Sequence, residues 1–176
     1  PYRRQRQMCI RDRAKVILVS APTSLPIPSG VDFISVDSAV SMQEAVEARY
    51  NDVNVVIMAA AVSDFRVLHK AEQKIKKMES MTIELVKNPD ILQGLGSKKN
   101  HQILVGFAAE TEHVIKYGQD KVARKNLDML VANDVSKSNA GFNVDTNEGY
   151  FLYPDKEPKE MPNMKKSELA RHILRE

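Results

Sequence analysis

The chain has 176 residues, of which 43% are hydrophobic and 28% are charged, so it has enough apolar side chains for a folded core. Its longest apolar runs, residues 53–62 and 103–109, fall well short of the roughly 20 residues of a membrane-spanning helix. The formal charge of +3 originates in residues 1–13, which hold five of the 26 basic and one of the 23 acidic side chains. The remaining 21 basic and 22 acidic side chains argue against a polyanion-binding surface.

Residues 1–13 have no apolar periodicity, and they lack the apolar stretch of a secretory signal. We expect them to be a non-native or artefactual tail in front of a single domain, residues 14–176. A basic arm that binds nucleic acid is the alternative. The only cysteine, Cys9, lies in this tail, so the domain has no disulfide, no cysteine metal ligand and no thiol nucleophile. We expect a cytoplasmic protein that binds neither membrane nor nucleic acid.

The first half of the domain begins with two short apolar segments, residues 15–20 and 31–36, which predict strands. Three prolines between them predict a loop. Ser41 and Glu44 have the spacing of a capping box and predict a helix that continues to Tyr50. Residues 53–60 form a β-branched run, which is typical of a buried parallel strand.

The second half starts with a polar, basic segment without a strong period, residues 61–80. Asn88 and Pro89 predict an N-cap and the first position of a helix that ends near Gly96. Thr111 predicts the cap of a further helix that extends to residue 126. The remaining elements, in chain order, are predicted strands at residues 81–86, 103–108, 127–132 and 149–153, and a helix at residues 165–175.

Strands that alternate with helices predict an α/β fold. We expect a three-layer, Rossmann-like parallel sheet with helices on both faces and a small antiparallel extension. Sheets of this kind bind ligands beyond the carboxyl ends of their strands. Three segments that follow predicted strands are rich in polar or small residues, namely residues 59–64, 108–111 and 132–136. The topology therefore predicts a ligand site that these segments share.

Several residue groups have the chemistry of an anion or nucleotide site. Lys74 lies in the densest cationic cluster of the domain, and Lys121 and Lys125 share one helix face beside Arg124. The same patterns are also typical of solvated charged turns and helix faces. The pattern alone leaves both interpretations open.

Small and aromatic residues extend this set. Ala59, Ala60 and Ala61 would let a flat ligand approach the backbone, and Asp64 would contact a sugar hydroxyl or a metal. The segment 88–91 would present N–H groups to an anion, and Phe107 would lie beside a base. Tight packing, a plain helix cap, a turn and a core phenylalanine are the structural alternatives. The four histidines lack metal-ligand spacing, and neither G-x-x-x-x-G-K-[ST] nor G-x-G-x-x-G occurs.

Five sequence blocks in order resemble the phosphopantothenoylcysteine synthetase family. They are AAAVSDFR at residues 59–66, KIKK at 74–77, LVKNPDIL at 85–92, VGFAAET at 105–111 and VANDVS at 131–136. Gly141-Phe142-Asn143 and the terminal helix continue the resemblance, which covers residues 14–176. Single blocks are weak signals, whereas five in order at natural spacing are specific.

The resemblance implies a CTP-dependent ligase of coenzyme A biosynthesis. Such an enzyme joins 4′-phosphopantothenate to L-cysteine through an acyl-cytidylate, with Mg²⁺, and releases pyrophosphate and CMP. It also implies a homodimer, to which residues 74–86 contribute, and a fused decarboxylase half that alone uses FMN. By motif, Lys74 is the expected catalytic residue, and no metal ligand is assigned. The expected nucleotide-binding residues are Met58, Ala59, Ala60, Asp64, Lys74, Pro89, Asp90, Ile91, Leu92, Phe107, Lys121 and Lys125.

One departure from the family pattern concerns the start of the domain. The family begins with a strand and a glycine-containing nucleotide loop, followed by a segment of the type Asn-x-Ser-Ser-Gly-Lys-Met-Gly, and neither is found here. We therefore expect this chain by itself to be inactive or severely impaired. A non-catalytic nucleotide-binding module on the same fold is the alternative function. A nucleic-acid-binding protein that uses the tail and residues 74–77 is the third.

Overall fold

The computed structural model describes residues 14–136 and 145–176. Within these ranges a short 3₁₀ helix, Tyr50–Asp52, accompanies the regular elements. The strands are β1 Val16–Ser20, β2 Val31–Ser35, β3 Val55–Met58, β4 Phe65–Val67, β5 Leu85–Lys87, β6 Ile103–Glu110, β7 Met129–Asp134, β8 Thr146–Leu152 and β9 Lys159–Lys165. The helices are α1 Ala39–Glu47, α2 Ile91–Ser97, α3 Val114–Arg124 and α4 Lys166–Ile173.

The central sheet has the strand order β3-β6-β7-β8-β9. The first three of these strands are parallel, β8 pairs antiparallel with β7, and β9 pairs antiparallel with β8. Two smaller hydrogen-bonded pairs accompany the sheet: β1 and β2 are parallel, and β4 and β5 form an antiparallel ribbon. The predicted parallel sheet with an antiparallel extension is thus confirmed.

The two faces of the sheet carry separate hydrophobic clusters. Leu104, Leu130 and Leu152 pack on one face in a cluster that includes residues of α1, α2 and α3. Val131 and Phe151 lie on the opposite face, in a cluster that includes residues of α4. Successive residues of a strand point to opposite faces, so β6, β7 and β8 contribute to both clusters and are apolar where they cross the core. This arrangement confirms the prediction of helices on both faces.

The parallel strands end at a common edge of the sheet. Met58, the last residue of β3, lies opposite Gly106, while Ala108 and Glu110 of β6 lie opposite Ala132 and Asp134 of β7. The segments that follow β3, β6 and β7 are therefore neighbours in space. This register brings together the three segments that the sequence predicted to share a site.

The helix starts differ from their predictions at three places. The N-cap of α1 is Ser38, and Ser41 is its partner within the capping box rather than the cap. The N-cap of α2 is Asp90, whose side chain accepts from the Gln93 N–H, so Asn88 lies outside the helix. The third helix, α3, begins at Val114 instead of near Thr111, after His113 adopts a left-handed conformation with φ 46°. In α1 and α2 a neighbouring polar residue takes the cap, whereas the N-cap residue of α3, His113, makes no side-chain capping hydrogen bond.

Two strands were missed and one was placed too early. Residues 65–67 form β4 because they pair with β5, and the predicted strand at residues 81–86 is reduced to Leu85–Lys87. The strand β9, which the sequence did not predict, contains Pro162, a residue type that is rare inside strands. It lies at the edge of the sheet, where proline is tolerated because one side of the strand donates no ladder hydrogen bonds. The predictions for residues 1–13 and 141–143 lie outside the described residues.

Candidate functional site

A cleft of about 690 Å³ lies at the carboxyl edge of the parallel strands. The loop after β3, the segment before α2, the ends of β6 and β7, and residues of α3 and α4 form its walls. This volume is in the range of sites that hold a drug-sized or nucleotide-sized ligand. Its position beyond the strand ends is where ligands bind in open α/β sheets.

Eleven of the twelve sequence-predicted nucleotide-binding residues line this cleft. They are Met58, Ala59, Ala60, Asp64, Pro89, Asp90, Ile91, Leu92, Phe107, Lys121 and Lys125. Ile91 and Leu92 are buried and belong to the core cluster, so they form the wall of the cleft by packing. The exception is Lys74, which lies outside the cleft on an exposed segment between β4 and β5.

The two lysines of α3 are held by carboxylates on either side of the cleft. The Lys121 Nζ contacts Glu110 Oε1 at 2.5 Å, and the Lys125 Nζ contacts Asp90 Oδ2 at 2.9 Å. Arg124, on the same helix, also lines the cleft. The pairs hold the ammonium groups at the cleft, where a multiply charged anion would compete with single carboxylates for them.

Asp90 has two structural roles. It caps α2 and pairs with Lys125. Burial raises the pKa of Asp90, but the Lys125 ammonium, the Gln93 N–H and Arg124 together hold that pKa below its usual value. A carboxyl whose folded-state pKa is lowered contributes its stability at neutral pH and loses it as the pH falls through that pKa. The Asp90 carboxylate that contacts Lys125 is therefore ionised at neutral pH.

Sequence reasoning missed the structural role of Asn88, a buried residue that ties two cleft segments together. Its backbone N–H donates to Asp64 O at 2.7 Å, and its Nδ2 donates to Ser63 O at 2.8 Å. Its Oδ1 accepts from Arg66 Nη1 at 3.1 Å. In the sequence, an asparagine before a proline is typical of a helix cap. Its actual hydrogen-bond partners lie 22 to 25 residues away, so no local pattern predicts them.

The substitution Asn88→Leu should lower the free energy of unfolding by about 1–3 kcal/mol, because it leaves the Ser63 carbonyl without its side-chain donor and removes one of the two hydrogen bonds of Arg66 Nη1, which keeps the one to Lys87 O. The Ser63–Asp64 turn at the cleft would also lose its attachment. Urea unfolding measures the loss of stability. Asn100→Leu, at an exposed asparagine, is the matched control, and equal stability of the two variants would contradict this role.

The cleft has two halves that lie on opposite faces of the sheet. Residues of α2 and α3 form the first half, which contains the cations Lys121, Arg124 and Lys125. Five further lining residues form the second half, toward α4: Asn133, Val135, Asn147, Lys166 and Leu169. Asn133 and Val135 belong to the segment 132–136 that the sequence predicted for the site, whereas the other three were not predicted. Asn147 lies near the start of β8 and Lys166 directly follows β9, and the antiparallel pairings of β7 with β8 and of β8 with β9 bring both to this edge.

Within residues 14–136 and 145–176, no three His, Cys, Asp or Glu side chains are grouped to hold a metal ion. A magnesium ion that arrives with phosphate groups needs only one or two carboxylates from a protein. Asp64 lines the cleft and is the carboxylate that suits this role. No helix in the described part of the chain is long and apolar enough to cross a membrane.

The arrangement suits the binding of a polyanion next to a second, smaller ligand. Three cations on one side of the cleft would neutralise phosphate charge, and the small residues 59–61 leave the backbone after β3 accessible. The α4 half offers amide and ammonium groups beside apolar walls. Two ligands that meet at the strand ends would be held in a fixed mutual orientation.

Comparisons with known proteins agree with this architecture. The sequence profile described as "DNA/pantothenate metabolism flavoprotein C-terminal domain" matches residues 6–176. The Coenzyme A biosynthesis bifunctional protein CoaBC of Bacillus subtilis (strain 168) is 47% identical over 165 residues, which cover 93% of this chain and 41% of the relative. The protein of the same name from Escherichia coli (strain K12) is 43% identical over 171 residues, covering 94% and 42%.

A solved structure agrees as well. The crystal structure of the C-terminal domain of a Coenzyme A biosynthesis bifunctional protein CoaBC superimposes with a TM-score of 0.81 at 38% identity, covering 98% of this chain and 77% of that one. The chain spans about two fifths of the length of the curated relatives it matches. The profile match and this structural relative show that the chain belongs to the family of the DNA/pantothenate metabolism flavoprotein C-terminal domain.

Proposed function

We propose that the chain is the nucleotide-handling part of a phosphopantothenoylcysteine synthetase of coenzyme A biosynthesis. In this reaction the carboxylate of 4′-phosphopantothenate attacks the α-phosphate of CTP, so that an acyl-cytidylate forms and pyrophosphate leaves. The amine of L-cysteine then attacks the acyl carbon and displaces CMP. The relatives are bifunctional proteins, and we propose a fused decarboxylase half, the part that uses FMN, for the whole protein.

The observation that carries this proposal is the cleft itself. Eleven of the twelve residues expected from the family resemblance converge on it, although they come from four separate segments of the chain. Residues that served only as helix caps or as solvent-exposed surface charges would not be expected to line a single cleft. The relatives named for coenzyme A biosynthesis support the same assignment.

The chain's own residues serve the proposed reaction by binding and orientation. Lys121 and Lys125 neutralise the triphosphate, after exchanging Glu110 and Asp90 for phosphate oxygens. Phosphoryl and nucleotidyl transfer depends mainly on positioning and on electrostatic stabilisation, which a fixed row of cations supplies. Magnesium, with Asp64 as a protein ligand, would neutralise further phosphate charge when bound. Ala59 and Ala60 leave space for the nucleotide beside the end of β3.

Lys74 remains the proposed catalytic residue for turnover of the acyl-cytidylate. Its segment has to approach the cleft of the same chain or of a partner when substrates bind, because it lies outside the cleft here. Lys74→Gln should slow product formation at least tenfold, which corresponds to about 1.4 kcal/mol in the barrier, while acyl-cytidylate accumulates. The assay uses the chain preceded by the upstream segment of its Bacillus subtilis relative, with quenched-flow detection of both species. Lys77→Gln in the same segment is the control, and normal turnover of Lys74→Gln would exclude this role.

We also propose that the protein is a homodimer. The ribbon β4–β5 and the segment that joins its strands expose eight large hydrophobic side chains, between 42% and 59% of each: Phe65, Val67, Leu68, Ile75, Met78, Met81, Ile83 and Leu85. A soluble monomer rarely exposes so many apolar side chains on one segment. Leu85→Glu should shift the sedimentation coefficient from dimer to monomer, whereas Ile27→Glu, at an exposed isoleucine outside the ribbon, should not. A wild-type monomer would contradict the proposal.

Calorimetric titration of the full chain with CTP and with ATP, in the presence of magnesium, tests the proposed function. Selective binding of CTP is the expected result. Tight binding of ATP without CTP would contradict the CTP-dependent assignment. The second candidate, a non-catalytic nucleotide-binding module, predicts CTP binding but no pyrophosphate release even after the upstream segment of a relative is added. Pyrophosphate release in that extended protein would exclude the second candidate.

A further inference from the structure

Helix α3 ends in a turn that fixes the position of the lysine before it. Asn126 adopts a left-handed conformation with φ 52°, and its N–H donates to Ala123 O at 3.2 Å. The Leu127 N–H donates to Val122 O at 3.0 Å. These two hydrogen bonds form a Schellman motif, in which glycine is the usual residue at the left-handed position. Lys125 is the C-cap residue that directly precedes Asn126, so this turn determines where its backbone lies.

The side chain of Asn126 makes a contact that a glycine at this position would not make. Its Nδ2 donates to Gly96 O at 3.0 Å, so it joins the end of α3 to the end of α2. Gly96 is buried, and a Cβ at this residue would lie 1.9 Å from Lys125 O. The backbone of Lys125 therefore lies directly against α2, and the amide of Asn126 holds it there.

An ion pair attaches the same turn to the central sheet. The Lys99 Nζ donates to Asn126 O at 2.9 Å and contacts Asp128 Oδ1 at 3.1 Å, and only 16% of the Lys99 side chain is exposed. Asp128 Oδ2 in turn accepts from the Leu104 N–H at 2.7 Å, near the start of β6. An ammonium group has three donors, so one can serve the carbonyl while the others hold the carboxylate. Asn126 is thus fixed to β6 as well as to α2.

Lys125 depends on this support because its ammonium group lies far from its backbone. The Nζ contacts Asp90, the N-cap of α2, whereas the carbonyl oxygen of Lys125 lies beside Gly96 near the other end of that helix. Six residues at 1.5 Å each separate these two points by about 9 Å along the helix axis. The lysine side chain therefore runs alongside α2, and a shift of its backbone would draw the ammonium away from the cleft.

We propose that Asn126 is a positioning residue of the proposed nucleotide site, because its link to α2 holds Lys125 where the ammonium reaches the cleft. The Lys99–Asp128 pair supports Asn126 from the amino edge of the sheet. None of these three residues lines the cleft itself, so they would act on the nucleotide only through Lys125. This inference rests on the proposed function, which assigns Lys125 to the triphosphate, and extends it to residues outside the cleft.

The substitution Asn126→Gly separates the link from the turn, because glycine adopts a left-handed conformation readily but has no amide side chain. In calorimetric titrations of the full chain with CTP and magnesium, this variant should bind CTP about five- to tenfold more weakly than the wild type. Asn100→Gly makes the same change at an exposed asparagine and should bind CTP like the wild type. Urea unfolding shows whether each variant is folded under the conditions of the titration.

A double-variant cycle with Lys125→Ala distinguishes positioning from a general loss of structure. If Asn126 acts through Lys125, then Asn126→Gly should change CTP affinity by less than about twofold once Lys125 is already alanine. Equal weakening in both backgrounds, or no weakening in the wild-type background, would overturn the proposal. Lys99→Met keeps the aliphatic stem but removes the donor to Asn126 O, and it should show the same pattern. This second variant decides the question if Asn126→Gly does not fold.

The titration of Asp90 tests the same link without any nucleotide. Burial raises the pKa of Asp90, whereas the Lys125 ammonium helps to hold that pKa below its usual value. Asn126→Gly should therefore raise the pKa of Asp90 toward its usual value, as measured by ¹³C NMR of the carboxyl group. If the wild type binds no CTP but this pKa rises, the proposed function fails and the positioning of Lys125 stands. An unchanged pKa of Asp90 would overturn the positioning role, whatever the chain binds.

Discussion

Lys121→Ala should weaken CTP binding by about 10- to 100-fold, because hydrogen bonds to charged groups contribute about 1.5–3 kcal/mol each. The substitution removes a cation from the cleft and leaves Glu110, whose side chain is only 14% exposed, without its partner. An unpaired carboxylate at this position would also repel the triphosphate. The effect should therefore exceed that of losing a solvated surface charge.

Calorimetric titration of the full chain with CTP measures this effect, and Lys116→Ala is the matched control. Lys116 lies on the same helix, is exposed and does not line the cleft. The double variant Lys121→Ala/Glu110→Gln separates the two contributions, since removing the repelling carboxylate should restore part of the affinity. If Lys121→Ala and Lys116→Ala bind CTP equally well, the face of α3 that carries Lys121 is merely solvated.

Gly96→Ala should be among the most damaging single-methyl changes in the described chain. A Cβ at residue 96 would lie 1.9 Å from the Lys125 carbonyl oxygen and 2.8 Å from its carbonyl carbon. Backbone atoms cannot move away as a flexible side chain can, so the end of α2 and the residues after α3 would have to separate. We expect a loss of about 1–3 kcal/mol in the free energy of unfolding.

The same clash should also reduce CTP affinity, because it displaces Lys125, one of the two lysines of α3 that pair with carboxylates at the cleft. Gly94→Ala provides a close control. It lies on the same helix, and the nearest atom to its added Cβ is Glu47 Oε1 at 3.9 Å. Alanine favours a helix over glycine by about 1 kcal/mol, so this variant should be as stable as the parent or more stable. Urea unfolding of both variants tests the contrast; equal stability would show that the contact at Gly96 relaxes freely.

The β-branched and apolar runs of the sequence were sufficient to predict the parallel strands and both covered faces. Residues 53–60 and 103–108 correspond to β3 and β6, and the polar or small residues that follow them lie at the cleft. Such runs are local signals, because a strand buried on both faces has to be apolar at every position. The order of blocks then identified eleven residues that share one cleft, although spacing alone left each of them ambiguous.

The helix starts, the ribbon and the edge strand were not predictable in the same way. A helix is capped by the residue whose side chain can accept a hydrogen bond from a backbone N–H of the first turn. The packed structure decides that this is Ser38 rather than Ser41 in α1, and Asp90 rather than Asn88 in α2. The strand β4 exists because β5 pairs with it, and β9 tolerates Pro162 because it is the last strand of the sheet. These outcomes depend on partners that are distant in sequence.

The sequence by itself determined the fold class, the family resemblance and the identity of the cations and small residues at the strand ends. Only the tertiary structure decided which carboxylates hold Lys121 and Lys125, and that Asn88 joins two cleft segments. It also placed Lys74 outside the cleft and left Asn133 Oδ1 buried without a donor. The reason is physical: charge type and apolar periodicity are properties of neighbouring residues, whereas pairing and desolvation depend on contacts that form only when distant segments pack together.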